Sequence, residues 1–522
     1  MSATEPSPPR EPATAPPVPT SPDPQSPGRR TRSPDPHSPD PSTVSTLPGA
    51  ATPSATVDAL PSSTPEQQGV ASAAVLAMVR RWEREGNEPH GVVVIRHGHV
   101  VARGAWQPWP PDGIRLVYSV SKTFLAVAAA FAEAEGLLSR TERLVDVFPE
   151  AAQGAGPRAA RITVEDCLRM STGHHADTLD TVRGIAGGGE ESVALFLHAE
   201  PDEEPGSWFV YHNGASRMLA LAVQRRTGQR LVDYLRPRLL DPLGGADARW
   251  TTWAGTDLGF SGLHISTDTV ARLGLLLLDD GRWQGRPLLP PGWVAGASSP
   301  LADTTHHPGS ADWTAGYGYQ LWRNAPGGFR ADGAYGQFAL VLPDHDLVVA
   351  VTACTETTQE VLDAVWEELL PHLAPQPLPA DPEAHARLVA TLDSAAAPAS
   401  GSATAAPATA GPWTFTHEPT PEHPALRSVS VSRGEHGGWL LDIDDGERLT
   451  VRCGDGHWPD AGDEPWVASG GWVAPGVLEA VVVAVQTPHS LVLRCADGVV
   501  SARWCGAPLH GPGLAWLRAP QS

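Results

Sequence analysis

Large apolar side chains are nearly absent before Leu60 and recur in a regular order after it. Val75, Met78, Val79 and Trp82 repeat at the spacing of one helix face, which predicts a helix over residues 71–85. Two apolar runs either side of His97-Gly98 predict a hairpin over 91–106. A short extended piece, 114–118, leads into Phe124, Val127, Ala128, Phe131 and Leu138, the buried stripe of a second helix interrupted near Gly136. Thr163-Val164-Glu165-Asp166 has the form of a capping box and opens a short helix to about Met170. Helices are also predicted over 215–226, stopped by Gly228, and over 267–279, capped by Ser266 with Val270, Leu273 and Leu277 on one face. Between Gly316 and Cys354 the period shortens to that of strands: YGYQLWR, GFRADGA, FALVLP and LVVAVTA. The last two, joined by Pro-Asp-His-Asp, read as an antiparallel hairpin buried on both faces. Val361, Val365 and Leu369 align on a closing helix that ends near Leu373.

Composition divides the chain around this patterned stretch. Residues 1–59 are dense in Pro, Ser, Thr and Asp and read as a disordered, solvated tail. Residues 60–375 carry the helices and strands above, and 376–411 form an Ala- and Pro-rich linker with room for a short helix at 383–392. Residues 412–522 consist of short alternating segments broken by Gly and Asp, the pattern of a small all-β domain. Its Trp439, Trp458, Trp466, Trp472, Trp504 and Trp516 suit core packing better than a carbohydrate-stacking face.

Charge and cysteine content narrow the function classes. A net charge of −22 argues against nucleic acid or an anionic membrane as partner, since both require a basic surface. Five cysteines (Cys167, Cys354, Cys453, Cys495, Cys505), widely spaced and without a C-x-x-C pair, indicate reduced thiols and neither a disulfide framework nor a zinc site. His174 and His175 lack a third ligand at helical spacing, so no metal and no cofactor are expected. No apolar leader segment opens the chain and no run reaches membrane-spanning length, so a soluble cytoplasmic protein is expected, its oligomeric state open.

The candidate chemistry begins with a count. Lys122 is the only lysine among 37 basic residues. An arginine stays protonated in any protein, whereas a desolvated lysine can give up its proton and act as a base. Ser119 stands three residues earlier, one helical turn away, at the start of a predicted helix where free N–H groups and the positive dipole end suit an oxyanion.

Further pieces follow in a fixed order: YSVSKTF at 118–124, ITVEDCLRMSTG at 162–173, YHN at 211–213, GLHISTDTVARLG at 262–274, GRWQGRPLLP at 281–290 and ADGAYGQFALVLP at 331–343. With these the chain resembles the serine β-lactamase and penicillin-binding-protein superfamily, whose S-x-x-K motif is well known. Within it, the class C-like hydrolases are the nearest in pattern: esterases, D-amino-acid peptidases and 6-aminohexanoate-oligomer hydrolases. The resemblance implies an α+β fold, an antiparallel sheet flanked by N- and C-terminal helices with an all-helical subdomain, followed here by the small all-β domain. It implies Ser119 as the acylated nucleophile, Lys122 as its base and Tyr211 as the partner that protonates the leaving group, with a phenol pKa lowered by the adjacent ammonium. Asn213 would bind the substrate's acyl-side amide. Gly333 and Ala334 would border an oxyanion hole shared with the Ser119 backbone N–H.

The third motif departs from the penicillin-recognising members, which carry a cation where this chain has Ala331. Arg330 next to it is a candidate replacement. The expected reaction is hydrolysis of a small ester, amide or peptide-like substrate through an acyl-enzyme. The alternatives are a β-lactamase or D-amino peptidase activity, and a non-catalytic binding protein on the same fold.

Overall fold

The computed structural model describes residues 59–179, 189, 191–408, 411–434, 437–509 and 513–521, all within one compact unit. The tail expected over 1–59 lies, apart from Ala59, outside the described residues.

Helix α1, Ser72–Glu85, buries Val75, Met78, Val79 and Trp82 and ends at Gly86 with φ 75°. Strands β1, Pro89–Arg96, and β2, His99–Ala105, meet through His97 and Gly98, with φ 49° and 72°. Two consecutive positive φ values give the tight hairpin turn whose twist matches the strands. After β3, Arg115–Leu116, the chain makes a single 3-10 turn, Tyr118–Val120, and runs into α2, Ser121–Ala134. All of α2 from Ser121 to Ala132 is buried, so this helix is a core element and not an amphipathic one.

The predicted capping box is present at α3, Val164–Leu168: Thr163 Oγ1 accepts from Asp166 N at 3.2 Å and Asp166 Oδ2 accepts from Thr163 N at 2.9 Å. Helix α4 spans Asn213–Thr227, two residues longer at its start than its apolar pattern suggested, because polar Asn213 and Gly214 form its first turn. Strand β4, Leu263–Ile265, leads to α5, Thr267–Leu278, where Ser266 Oγ accepts from Thr269 N at 3.2 Å.

Four more strands follow: β5, Trp322–Arg323; β6, Phe329–Gly333; β7, Gln337–Leu342; and β8, Leu347–Ala353. The first is far shorter than the YGYQLWR pattern predicted. Gly316 and Gln320 sit at φ 109° and 55°, and a Cβ on Gly318 would lie 1.9 Å from Ala297 O, so the backbone is folded against its neighbour rather than extended. The sheet order is β5-β6-β7-β8-β1-β2, antiparallel throughout. Strand β1 alternates between its two faces: Val93 and Ile95 join the core that contains α2, α4 and α5, while Val92 and Val94 join the core of α1. That second core also takes in α6, Thr358–Ala364, and α7, Pro382–Asp393, whose Leu388 and Leu392 are buried.

The C-terminal strands close an eight-stranded barrel: β9, Trp413–Thr416; β10, Leu426–Arg433; β11, Trp439–Asp445; β12, Arg448–Gly454; β13, Trp466–Ala474; β14, Val477–Ala484; β15, Ser490–Ala496; and β16, Val499–Cys505. Neighbours are antiparallel except at β12–β13 and at the β9–β16 closure. Burial alternates along β11, as expected for a strand with a filled inside and a wet outside. Trp439, Trp458, Trp466 and Trp472 are buried, whereas Trp516 is 71% exposed. Trp458, Val467, Val483 and Val485 face outward into the α1 core, so barrel and sandwich share one apolar interface. No helix among the described residues is long and apolar enough to cross a membrane.

Candidate active site

A cleft of about 310 Å³ opens where the 3-10 turn before α2, the start of α4 and the end of β6 converge. Tyr118, Ser119, Tyr211, Asn213, Phe260 and Asp332 line it, with Trp322 as one wall. Five of the six site residues read from the sequence, Ser119, Lys122, Tyr211, Asn213 and Ala334, therefore lie in or directly beneath one cavity, and Gly333 borders it.

Lys122 lies in the first turn of α2 and is 1% exposed. Its Nζ is 2.9 Å from Ser119 Oγ, 2.8 Å from Asn213 Oδ1 and 2.7 Å from Phe260 O. The last two are carbonyl oxygens that can only accept, so they occupy two N–H bonds. The third direction of the nitrogen faces the serine: it carries an N–H in the ammonium and the lone pair in the amine. Burial lowers the Lys122 pKa to about 7, and the charges of Asp177 and Asp332 keep it from falling further.

The Asn213 amide is oriented by Asp177. Its Nδ2 donates to Asp177 Oδ2 at 2.8 Å, which turns Oδ1 toward Lys122. Asp177 Oδ1 also accepts from Gly214 N at 2.9 Å and Leu179 N at 3.0 Å, tying its own loop to the start of α4. Beneath that loop runs a hydrogen-bonded chain of neutral groups. His174 Nε2–H donates to Ala199 O at 2.9 Å, so its Nδ1 accepts from the Thr172 hydroxyl at 2.9 Å. Thr172 Oγ1 accepts in turn from His212 Nδ1–H at 3.0 Å, and His212 Nε2 accepts from Thr178 N at 3.0 Å. Burial pushes His212 down to about 3, which keeps the chain uncharged. His174 is thus engaged in structural hydrogen bonds, and no cluster of three or more metal-ligating side chains exists among the described residues.

Tyr211 stacks on Trp322 at 5.8 Å between centroids, and its hydroxyl hydrogen-bonds the Ser119 side chain. Lys122 Nζ is 4.9 Å from its ring centroid. The expectation that an adjacent ammonium lowers this phenol is reversed. Burial raises it, the nearby Asp332 and Asp177 charges raise it further, and only the hydrogen bond with Ser119 opposes them.

Gly333 touches the serine's backbone. A Cβ there would come within 2.4 Å of Val117 O and 3.2 Å of Ser119 N, so only glycine permits this approach. The candidate replacement cation, Arg330, is not in the cleft. It is fully buried, its Nε donates to Asp332 Oδ2 at 2.7 Å, and its Nη1 is bound by Asp312 O, Arg323 O and Asn324 Oδ1. Arg330 and Asp332, two residues apart, share the face of β6 opposite Ala331: Arg330 packs against Trp313, with its guanidinium 4.5 Å from that ring, and is tied to Asp332, which lines the cavity at the strand's end. Burial raises the Asp332 carboxyl to about 6 against the opposing charge of Arg330.

Sequence reasoning missed Asp177, the Phe260 carbonyl and the barrel residue Leu509, which also lines the cleft. Residue type carried no signal for them, since one acts through its main chain and the others come from distant loops.

Among known proteins, the chain is 25% identical over 319 residues to the 6-aminohexanoate-dimer hydrolase of Paenarthrobacter ureafaciens, covering 57% of this chain and 81% of that one. It is 30% identical over 192 residues to the D-aminopeptidase of Brucella anthropi, a match that spans 33% of this chain and about a third of the other (35%). The solved structure of SurE with D-Leu superposes on 83% of this chain and 98% of its own at 19% identity, with a TM-score of 0.46. The model of the Beta-lactamase family matches residues 66–370, more than half of the chain and the stretch from α1 through α6, and the protein belongs to that family as a β-lactamase-related serine hydrolase.

Proposed function

We propose that the protein cleaves an ester or amide bond through an acyl-enzyme on Ser119. One observation carries the reading: a buried amine with a pKa near 7 has two of its three directions occupied by carbonyl oxygens and the third aimed at a serine hydroxyl. In the amine form that third direction is a lone pair, so Lys122 takes the Ser119 proton as Oγ attacks the substrate carbonyl carbon. The tetrahedral oxyanion is met by the backbone N–H groups of Ser119 and Ala334, held close together by Gly333. When the intermediate collapses, the bond to the leaving oxygen or nitrogen breaks and that atom takes a proton from Tyr211, which recovers one from Lys122. A phenol held protonated by its surroundings suits this donor role. Asn213 keeps one Nδ2–H beyond its Asp177 bond, and that N–H is offered to the substrate's acyl-side amide. Water then repeats the sequence on the acyl-enzyme.

The substrate favoured is one without a carboxylate at the third motif, because the cleft presents Asp332 there and Arg330 is committed elsewhere. This sets an ester or amide ahead of a β-lactam. The relatives named for aminohexanoate-dimer and D-amino-acid peptide hydrolysis are compatible with an amide substrate.

The test is labelling with a fluorophosphonate probe followed by a panel of short-chain esters, amides, D-peptides and nitrocefin. Expected is a single adduct on Ser119, lost in Ser119→Ala, and turnover of esters or amides well above nitrocefin. Absence of any adduct would sink the acyl-enzyme reading and favour a binding role on the same fold. Nitrocefin turnover at the rate of the best ester would overturn the substrate assignment.

A further inference from the structure

Two tyrosines bracket the candidate oxyanion donors, and both hold a backbone conformation unusual for their type. Tyr118, immediately before Ser119, has φ 46°, and Tyr335, immediately after Ala334, has φ 65°. A bulky residue stays in the left-handed region only where surrounding contacts enforce it, and such residues gather at functional sites. Here the enforcing contacts come from the barrel.

The ring nitrogens of His489, at the β14–β15 turn, settle their own roles. Nδ1 lies 2.9 Å from Gly506 O, which can only accept, so Nδ1 carries the proton. Nε2 is then the acceptor for the Tyr118 hydroxyl at 2.5 Å. The backbone of Leu509 hydrogen-bonds the same hydroxyl. Tyr335 donates its hydroxyl to Ala507 O, on the same barrel segment. The three rings form a triangle: Tyr118–Tyr335 at 5.5 Å, Tyr118–His489 at 5.7 Å and Tyr335–His489 at 5.2 Å between centroids.

Further contacts fix the barrel corner in place. Cys354 Sγ–H donates to Cys505 O at 3.0 Å, and Leu116 N, just before the turn that holds Ser119, donates to Gln486 O at 2.9 Å. Gly506 packs so tightly that a Cβ there would meet Cys354 Sγ at 2.7 Å.

We infer that the barrel is a working part of the acylation site, with His489 and the 506–509 segment as positioning elements that clamp Tyr118 and Tyr335 and thereby set the two oxyanion N–H groups. The inference rests on the reading of Ser119 as nucleophile. His489 touches no reacting atom; it acts through Tyr118. Its effect should fall on the transition state, where the oxyanion forms, and spare ground-state binding.

The experiment compares full-length His489→Phe, His489→Gln and Tyr335→Phe with the parent chain. Two readouts are taken: steady-state kinetics on the best ester of the panel, and backbone hydrogen exchange over residues 117–121 and 332–336. Expected for His489→Phe is a kcat lower by about 10- to 100-fold with KM within about twofold, the scale of a small misplacement of reacting groups. Amide exchange at both segments should accelerate. His489→Gln, which can still accept from Tyr118, should recover most of the loss, and Tyr335→Phe should show a smaller effect of the same kind. Should His489→Phe fail to fold, Tyr335→Phe, which deletes one hydroxyl, carries the test alone. Wild-type kcat and exchange in the folded variants would overturn the proposal, as would a lowered melting temperature with kcat intact. If the parent chain takes up no phosphonate, the acylation reading fails. The exchange data then still decide whether the barrel clamps these turns.

Discussion

Beneath Ser119 the protein holds an amine, an amide and a chain of hydroxyls and imidazoles, each with a defined partner. Inside the barrel it buries tryptophans. Trp413 and Trp472 meet edge-on at 5.1 Å, and the indole N–H groups of Trp439, Trp466 and Trp472 have no acceptor among the described residues. The barrel interior can leave such weak donors unmet because area removed from water dominates its stability. The site cannot, since an unpaired amine or carboxylate in low dielectric would neutralise or move. One interior is therefore tolerant in detail and costly to hollow out, while the other is sensitive to single atoms.

Replacing Lys122 with Met breaks the polar interior most severely. Acylation by a phosphonate or ester should fall at least about 10⁴-fold, or about 5.5 kcal/mol, in stopped-flow assays. Survival of acylation would show that another group takes the serine proton.

Next comes Trp472→Ala in the barrel, expected to cost about 3–5 kcal/mol of unfolding free energy by denaturant titration. The acylation rate of the folded fraction should hold, because the ring sits among other tryptophans away from the clamp. A much smaller loss would mean that the barrel core repacks more freely than its edge-on rings indicate.

Asp177→Asn should have the smallest effect and the most specific. On the proposed mechanism Lys122 works as the free amine, so kcat/KM should rise with pH through about 7 in the parent chain. Asp177 raises that pKa, so removing its charge lowers it and the acid limb moves to lower pH. The maximum should drop by about 10-fold, or about 1.4 kcal/mol, as Asn213 loses its anchor. An unmoved limb would show that the limb does not report Lys122.

Ser119 and Lys122 stood out by residue type and spacing, a single lysine one helical turn after a serine, but that pair is a weak pattern by itself and drew its weight from the motifs that follow it in order. Tyr211, Asn213, Gly333 and Ala334 were legible only through a resemblance of motifs, and the fold joins them to that pair in one cleft. The long helices and the β1–β2 and β7–β8 hairpins followed from periodicity. The YGYQ stretch did not, since backbone folding around Gly318 overrode an extended pattern. Arg330 misled for another reason: its position beside Ala331 suggested the cleft, but tertiary packing against Trp313 and pairing with Asp332 hold its guanidinium out of it.

What residue identity settled is the kind of chemistry available, since pKa range, hydrogen-bonding capacity and helical spacing are local properties. What awaited the folded chain is where that chemistry is tuned. Burial sets the Lys122 pKa, Asp177 turns the Asn213 amide, and His489 reaches Tyr118 across 371 positions of sequence. Desolvation and orientation are made by contacts between distant segments, and no window of neighbouring residues contains them.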